Sequence, residues 1–541
     1  MDCTPTYLPY EQTGYFSKII IDYLKGDEGL KPFYAHRVSL DGIRSAIEER
    51  KKYPTDRKLL VAQLQKQYAG MALGEKLGSN IAQLSNENTF TITTAHQPNI
   101  FTGHLYFVYK ILHAVKLAAR LKEELPGSNF VPVFYMGSED ADLDELGHIY
   151  LFGEKYEWKT KQRGAVGRMK VDKELIQLIA AISGQLLVLP HGEEIINLIK
   201  DFYREGETIE QATFKFIHAL FGEYGLVVLL PDDAALKRSF IPVVEKELAA
   251  SFSYKEVEAT AAIFPKTYKV QAGGREINLF YLKDDVRERI EEVVSRKSQV
   301  ASREYKVNNS DLKFSGDELM EELHKNPERF SPNVILRPVY QEMILPNIAF
   351  IGGGGEIAYW LELKRVFAET GVPFPVLVLR NSFLIVEKSY GLKINSLGFT
   401  VIDLFKGEDT LLKELVKRDS KIQLSLDKEK SVLKDVYAQI KSISAVPDIT
   451  LEKHVEALQA KALKRIEVLE NKMLKAEKKK FEAQQRQLNK LRSQLFPNNG
   501  LQERVENLLP FYARWGKDFI KMVYDNSFGL EEEFCILNVN D

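Results

Sequence analysis

At 541 residues the chain is too long for one compact core, so two or three structural units around a substantial α/β body are expected. Its 45% hydrophobic and 28% charged content is that of a soluble globular protein, and 74 Lys plus Arg against 76 Asp plus Glu remove any bulk electrostatic case for nucleic acid. No apolar run approaches the roughly 20 residues a membrane span needs, and the opening MDCTPTYLPYEQ lacks a signal-peptide layout. The two cysteines, Cys3 and Cys535, support neither a disulfide framework nor a thiolate metal cage. A cytoplasmic protein with no membrane and no nucleic-acid partner is expected.

Residues 1–89 read as helical, with FSKIIIDYL, SLDGIRSAIEERKKY and DRKLLVAQLQKQYAGM forming a segment packed on the core. From 90 the pattern becomes that of a parallel sheet. A β-branched run (Thr91, Ile92, Thr93, Thr94) passes through a turn holding His96, Gln97, Pro98, Asn99 and Gly103 into a helix with Leu105, Val108, Leu112, Val115 and Ala119 on its core face. Pro126-Gly127 ends that helix, and a short apolar strand, 131–136, then opens on acidic residues. Residues 90–146 thus form the first part of the core. Residues 147–220 read as an insert of short strands and two helical stretches, and 221–251 return to the sheet. A second insert, 252–330, includes a hairpin around Gly273-Gly274 and a charged helical stretch. Residues 331–419 complete the core with a strand at 347–351, a glycine turn, a helix at 356–369 and a strand at 376–379.

Beyond 420 the character changes. A helix over 426–443 and a longer one from the N-cap Asp448 to 496 carry Val455, Leu458, Ala462, Ile466, Leu469, Met473 and Ala476 at three- and four-residue steps. At ~1.5 Å per residue the longer helix reaches about 70 Å, so residues 420–499 read as an antiparallel coiled-coil arm that makes a homodimer. Lys478-Lys479-Lys480 on it reads as a solvated face. Residues 500–541 read as one helix and a tail.

Three clusters carry candidate chemistry. His96 and His104 flank a Pro- and Gly-containing turn at a helix start, where imidazoles and free amides can meet phosphate. The pattern resembles the His-x-Gly-His signature of class I aminoacyl-tRNA synthetases and nucleotidylyltransferases, and the bland alternative is a pair of capping or core histidines. Glu139, Asp140, Asp142, Asp144 and Glu145 crowd a strand exit and need cations, a substrate amine or water. Glu145 at the sixth position and Leu151 at the twelfth exclude a calcium loop of the EF-hand type. A solvated, helix-capping acidic loop is the alternative, and His148 nearby leaves a metal conceivable. The third cluster is Gly352, Gly353, Gly354 and Gly355 with Glu356, Tyr359 and Trp360, neither a P-loop nor a G-x-G-x-x-G turn, where a ligand can approach the backbone closely. Arg337 and Gln341 precede it, suited to phosphate or carboxylate.

The blocks HQPNIFTGHLYFVYK, PVFYMGSEDADLDE and SPNVILRPVYQEMILPNIAFIGGGGEIAYWLELKRVF, in this order ahead of a coiled coil, resemble the BshC family, assigned the cysteine-ligase step of bacillithiol biosynthesis. The likeness covers nearly the whole chain. It implies an α/β fold: a Rossmann-like, class I synthetase-like parallel sheet with two connecting inserts and a C-terminal antiparallel coiled coil that dimerises. It implies the joining of cysteine to glucosaminyl-malate to give bacillithiol; the route expected here is ATP-dependent, with ATP as cosubstrate and a cysteinyl adenylate as intermediate, and the acidic cluster could take an amino group or Mg²⁺. The implied site takes in His96, Gln97, Gly103, His104 and Tyr106; Glu139, Asp140 and Asp142; and Arg337, Gly353, Glu356 and Tyr359. Charge complementarity then puts phosphates at the histidine turn, an amine at the acidic cluster and the malate carboxylates at Arg337, with the turn's backbone amides ranking above its imidazoles. A nucleotidylyltransferase of the same fold and a nucleotide-binding coiled-coil scaffold remain the alternatives.

Overall fold

A computed structural model of the chain, which describes residues 2–293 and 303–540, divides into two compact units, Met1–Ile385 with Gly500–Asp541, and Val386–Asn499. The first is built on a five-stranded sheet. Its elements are β1 (Thr89–His96), α1 (Leu105–Glu124), β2 (Asn129–Met136), β3 (Val227–Leu229), α2 (Arg337–Ile344), β4 (Asn347–Gly352), α3 (Gly354–Trp360) and β5 (Val376–Leu379). The strand order is β5-β4-β1-β2-β3 with every neighbouring pair parallel, a doubly wound, Rossmann-like arrangement. Strands buried on both faces read as unbroken apolar or β-branched runs, which is why β1, β2, β4 and β5 were visible in the sequence. Phe90, Ile92, Ile348, Ile351, Val376 and Val378 meet Ala114, Leu117 and Leu121 of α1 in the core. The direction of winding reverses between β1 and β4, and the crevice beyond their carboxyl ends is where such a sheet binds ligands.

The helix α1 is buried on more than the one face its periodicity suggested, and it encloses Lys110 and His113. His113 is locked as one neutral tautomer: Nε2–H donates to the Gly529 carbonyl (2.8 Å), and Nδ1 accepts from the Asn381 amide (3.1 Å). Burial pushes its pKa down to about 4, against an ordinary value of 6.5. The unfolded chain therefore takes up this proton first as pH falls, so stability is complete above pH 6.5 and declines towards pH 4. The expected loss from this residue is about 3 kcal/mol. Denaturant titrations at neutral and acid pH should show a flatter pH slope in His113→Asn.

Several expectations need correction. The N-terminal segment is not all helix: Cys3–Pro9 is a strand antiparallel to Glu533–Val539, in a three-stranded sheet with Ser382–Val386. Pro5 and Pro9 disguised it, and its partner lies at the other end of the chain. The C-terminal segment holds two helices, Leu508–Trp515 and Lys517–Asp525, parted at Gly516 (φ 59°), before that last strand. Insert 1 has three helices, Lys173–Leu186, Gly192–Phe202 and Ile209–Phe221, beside its hairpin His148–Leu151 and Glu154–Glu157. In insert 2 the hairpin turns at Asp284-Asp285, between Leu279–Lys283 and Val286–Val293, and not at the glycine pair. The loop before the glycines is tied instead by the Gln271 and Ala272 amides to the Glu362 carboxylate (2.7 and 2.9 Å). Glu362 itself sits in the break that splits the expected 356–369 helix into α3 and Lys364–Thr370.

In the second unit, Asp427–Ala445 and Leu451–Lys478 form an antiparallel pair, tied by Lys430–Glu470 and Lys441–Glu456 (2.6 Å). Glu408–Asp419, expected with the sheet, packs here: Leu412 and Val416 share a core with Leu424 and Leu474. The expected single helix over 448–496 breaks at 479–481, where Phe481 packs against that core, and Glu482–Leu495 comes after the break. Asp448 Oδ1 accepts from the Thr450 amide (2.8 Å), capping a turn one step ahead of the helix. At ~1.5 Å per residue the longest helix is then about 42 Å.

Candidate functional site

The strand exits β1, β2 and β4 wall a cavity of about 330 Å³ at the switch point of the sheet. From the end of β1 come His96 and Gln97, from β2 and its exit Tyr135, Glu139 and Asp140, from the turn after β4 Gly353, and from α3 Gly354, Gly355, Glu356 and Tyr359. Tyr106 of α1 and Arg337 at the start of α2 also line it.

Glu356 is the electrostatic centre of this wall. One of its oxygens accepts from the Gly353 amide (2.8 Å) and from Lys110 Nζ (2.5 Å), whose ammonium also donates to the Ala95 carbonyl (2.7 Å). Burial works to raise the Glu356 pKa, but Lys110 and the Gly353 amide outweigh it and hold the carboxyl below its usual range. Arg337 donates to the Tyr359 hydroxyl (2.8 Å), and Arg380 lies over the Tyr106 ring (5.1 Å) while donating to Glu503 (2.7 Å). Among the described residues, neither Arg337 nor Arg504 has a carboxylate within ion-pair distance, so the cavity presents two unneutralised guanidinium groups. His96 bonds the Tyr106 hydroxyl through Nε2 (3.2 Å) and faces the Gln97 carbonyl through Nδ1 (3.3 Å). Burial, reinforced by Lys110, pushes its pKa down to about 3, so it acts as a neutral hydrogen-bonding group and not as a cation.

The acidic cluster divides. Glu139 is buried in an ion pair with Lys237, and its burial raises its pKa against the pull of that ammonium. Asp140 reaches the cavity, accepting from Gln97 Nε2 (3.1 Å). Asp142 does not: its Oδ1 caps the short Leu143–Leu146 helix through the Glu145 amide (3.1 Å). Among the described residues no group of three or more His, Cys, Asp or Glu is placed to hold a metal ion.

Four more of the singled-out residues lie outside the cavity lining. Gln341 is buried and donates to Glu342 (2.9 Å). A Cβ at Gly352 would come 2.9 Å from the Phe350 ring, so this glycine serves packing, whereas one at Gly355 would meet nothing. His104 turns to the Val505 carbonyl (3.2 Å), and the Gly103 carbonyl accepts from Asn507. Phe101, Thr102 and Gly103 all have positive φ, a strained turn held by Tyr203 and Asn507. The first amide of α1, that of Leu105, donates to the Glu506 carbonyl (2.8 Å). The turn that looked like a phosphate cradle therefore uses these groups for structure.

Sequence reasoning missed Lys110, Tyr135, Arg287, Ser331, Arg380 and Arg504. Only Lys110 left a signal, as a lone cation in the apolar helical run FVYKILHAV. Arg287 arrives from insert 2, Ser331 from the strand Phe330–Pro332 at its end, and Arg504 from beyond the second unit in sequence.

Two family models match the chain: the bacillithiol biosynthesis BshC N-terminal Rossmann-like domain over residues 1–381, and the BshC C-terminal coiled-coil domain over 383–539. Proteins named "Putative cysteine ligase BshC" are similar to it along their length. The one from Flavobacterium psychrophilum is 39% identical over 98% of both chains, and that from Flavobacterium johnsoniae 38% identical over 98% of this chain and 99% of its own. A Bacillus cereus relative of the same name is 25% identical over 96% of this chain and 98% of its own.

Proposed function

The chain belongs to the BshC family of bacillithiol biosynthesis, and from that premise we propose that it is an ATP-dependent ligase joining cysteine to the amine of glucosaminyl-malate. A cysteine carboxylate oxygen attacks the α-phosphorus of ATP, and pyrophosphate leaves. The substrate amine then attacks the carbonyl carbon of the cysteinyl adenylate, AMP leaves with that oxygen, and the amine gives up a proton as the amide forms. The observation that carries this reading is the pairing, in one cavity, of a glycine turn that opens at Gly355 with Arg337 and Arg504, which have no carboxylate at ion-pair distance among the described residues. Such a site favours anionic ligands that approach the backbone closely. In the proposed arrangement Gly353, Gly354 and Gly355 face the nucleotide, Asp140 the amine, and Arg337 the malate carboxylates, while Glu139 stays paired with Lys237 and His96 and Tyr106 orient as a neutral pair. Incubation with cysteine, ATP and glucosaminyl-malate is expected to give bacillithiol, AMP and pyrophosphate. No thiol product would overturn the reading, and pyrophosphate release without cysteine would point to a nucleotidylyltransferase.

The protein is further proposed to be a cytoplasmic homodimer. Among the described residues no helix is long and apolar enough to cross a membrane. Val432, Val436, Ile440 and Ile443 run along one side of the Asp427–Ala445 helix and are all exposed, Ile443 by 71%. An uncovered apolar stripe at coiled-coil spacing suits a second copy of the arm. Sedimentation velocity should show a dimer for the wild type and a monomer for Val436→Glu combined with Ile440→Glu.

A further inference from the structure

One corner of the cavity holds buried polar groups that the reaction as set out leaves unused. The Tyr135 hydroxyl, Ser331 Oγ and Arg287 Nε all line it or lie just behind it, and among the described residues none has a hydrogen-bond partner. Sheet register brings the last two to one wall. Ser331, in the strand Phe330–Pro332, pairs with Phe280, which pairs in turn with Arg289, and Arg287 stands two residues earlier on the same face. The Arg287 guanidinium lies 4.0 Å from the centroid of the Phe280 ring, which fixes its plane. Its ion pair is a long one, 3.8 Å to Asp140 Oδ1. That carboxylate is already engaged, by the Ala141 and Asp142 amides and by Gln97, and Glu139 is engaged by Lys237. Arg337 flanks the corner, 5.9 Å from the Tyr135 ring centroid.

Native proteins rarely leave several buried donors unpaired in one place, so the corner is shaped for a ligand. The amides of Ile335 and Leu336 at the approach to α2 already donate to Asn333 Oδ1 (2.9 and 3.3 Å). What remains is a planar guanidinium and two hydroxyls. Side-chain donors of this kind match the in-plane lone pairs of a carboxylate, where a phosphate site would more usually present a nest of backbone amides.

We propose that Arg287, Tyr135 and Ser331 form, beside Arg337, a carboxylate subsite that reads an acid group of the acceptor substrate, so that insert 2 contributes to acceptor specificity through Arg287. The identity of that acceptor rests on the ligase reading above; the subsite itself rests on the unpaired donors.

The test titrates L-malate calorimetrically into the full-length protein, with cysteine and inorganic phosphate as separate titrants. Wild type, Arg287→Ala, Arg287→Lys and Tyr135→Phe are compared, the conservative pair guarding against misfolding and thermal unfolding confirming each fold. Malate affinity is expected to fall about tenfold or more in both Arg287 variants and several-fold in Tyr135→Phe, with cysteine and phosphate unchanged within about twofold. In the ligation assay Arg287→Lys should raise the acceptor KM about tenfold and leave the cysteine KM alone. Malate that does not bind the wild type, malate affinity unchanged in the folded variants, or a loss falling on phosphate or cysteine instead would each overturn the proposal. Failure of all ligation while malate binding still depends on Arg287 would remove the ligase reading and leave the subsite standing. Ligation with an unaltered acceptor KM in Arg287→Lys and Tyr135→Phe would do the reverse.

Discussion

Lys110→Met is expected to lower ligation kcat/KM by about a hundredfold or more and to destabilise the fold by about 2–3 kcal/mol. The reason is the company Lys110 keeps. Its side chain is 1% exposed, and its ammonium donates to the Ala95 carbonyl at the end of β1 and neutralises Glu356 in the first turn of α3. It thus ties together the two strand exits between which the cavity opens. Methionine fills the stem's volume but leaves the Glu356 carboxylate, among the described residues, with the Gly353 amide and no cation at contact distance. The stability cost falls below the usual range for fully buried pairs because the Glu356 side chain is 25% exposed and water can partly solvate it. The activity cost is larger because an unpaired Glu356 puts a net negative charge beside the place proposed for the nucleotide. The pH dependence has the same origin. Lys110 keeps the folded Glu356 pKa below its ordinary 4.5, so the pair's stabilisation is present above that value and is lost as pH falls through the folded one. The double variant Lys110→Met with Glu356→Gln should recover most of the stability and little of the activity. If Lys110→Met unfolds at the wild-type temperature, the pair carries no net attraction and this account fails.

What could be read in the sequence depended on how far apart the partners lie. The exits of β1, β2 and β4 were legible because a doubly wound sheet writes its strands as short apolar runs and places chemistry directly after them. Gln97, Asp140, Gly353 and Glu356, which that rule singles out, line the cavity. It could not separate Gly352, whose missing Cβ makes room for Phe350, from Gly355, which opens on the cavity, because the distinction lies in three-dimensional neighbours. It gave His104 and Asp142 the same standing as His96 and Asp140, although one of each pair turns to the backbone. The corner formed by Tyr135, Ser331 and Arg287 was invisible for a different reason. Ser331 and Arg287 come together only through the pairing of three antiparallel strands, and a one-residue slip in that register would turn both away. The sheet joining Cys3–Pro9 to Glu533–Val539 is the extreme case, since no local pattern can announce a partner more than 500 residues away in sequence.

Arg50→Ala should be destabilising by about 3–5 kcal/mol while leaving the cavity chemistry intact. Arg50 is 2% exposed at the end of the helix Leu40–Arg50. It donates to the Asn347 carbonyl (2.9 Å), the Glu342 carbonyl (2.8 Å) and the Glu342 carboxylate (3.0 Å). Glu342 also accepts from Gln341 and Asn347, and Asn347 accepts from Thr93 of β1, so the network joins the N-terminal helix, α2, β4 and β1. It sits at the start of β4, the opposite end of the strand from the glycine turn. At temperatures where the variant stays folded, KM values within about threefold of wild type are therefore expected; a large KM change would show that the two ends of β4 are coupled. The defect should also depend on pH in a particular direction. Burial raises the Glu342 pKa to about 7 even with Arg50 beside it, and removing Arg50 raises it further. A carboxyl whose folded pKa is raised contributes stability that is full below its unfolded value and lost as pH rises through the folded one. Chemical denaturation should therefore find Arg50→Ala closer to wild type at about pH 5 than at about pH 8. Arg50→Met combined with Glu342→Leu should lose the pH dependence altogether, since it removes the buried charge instead of stranding it.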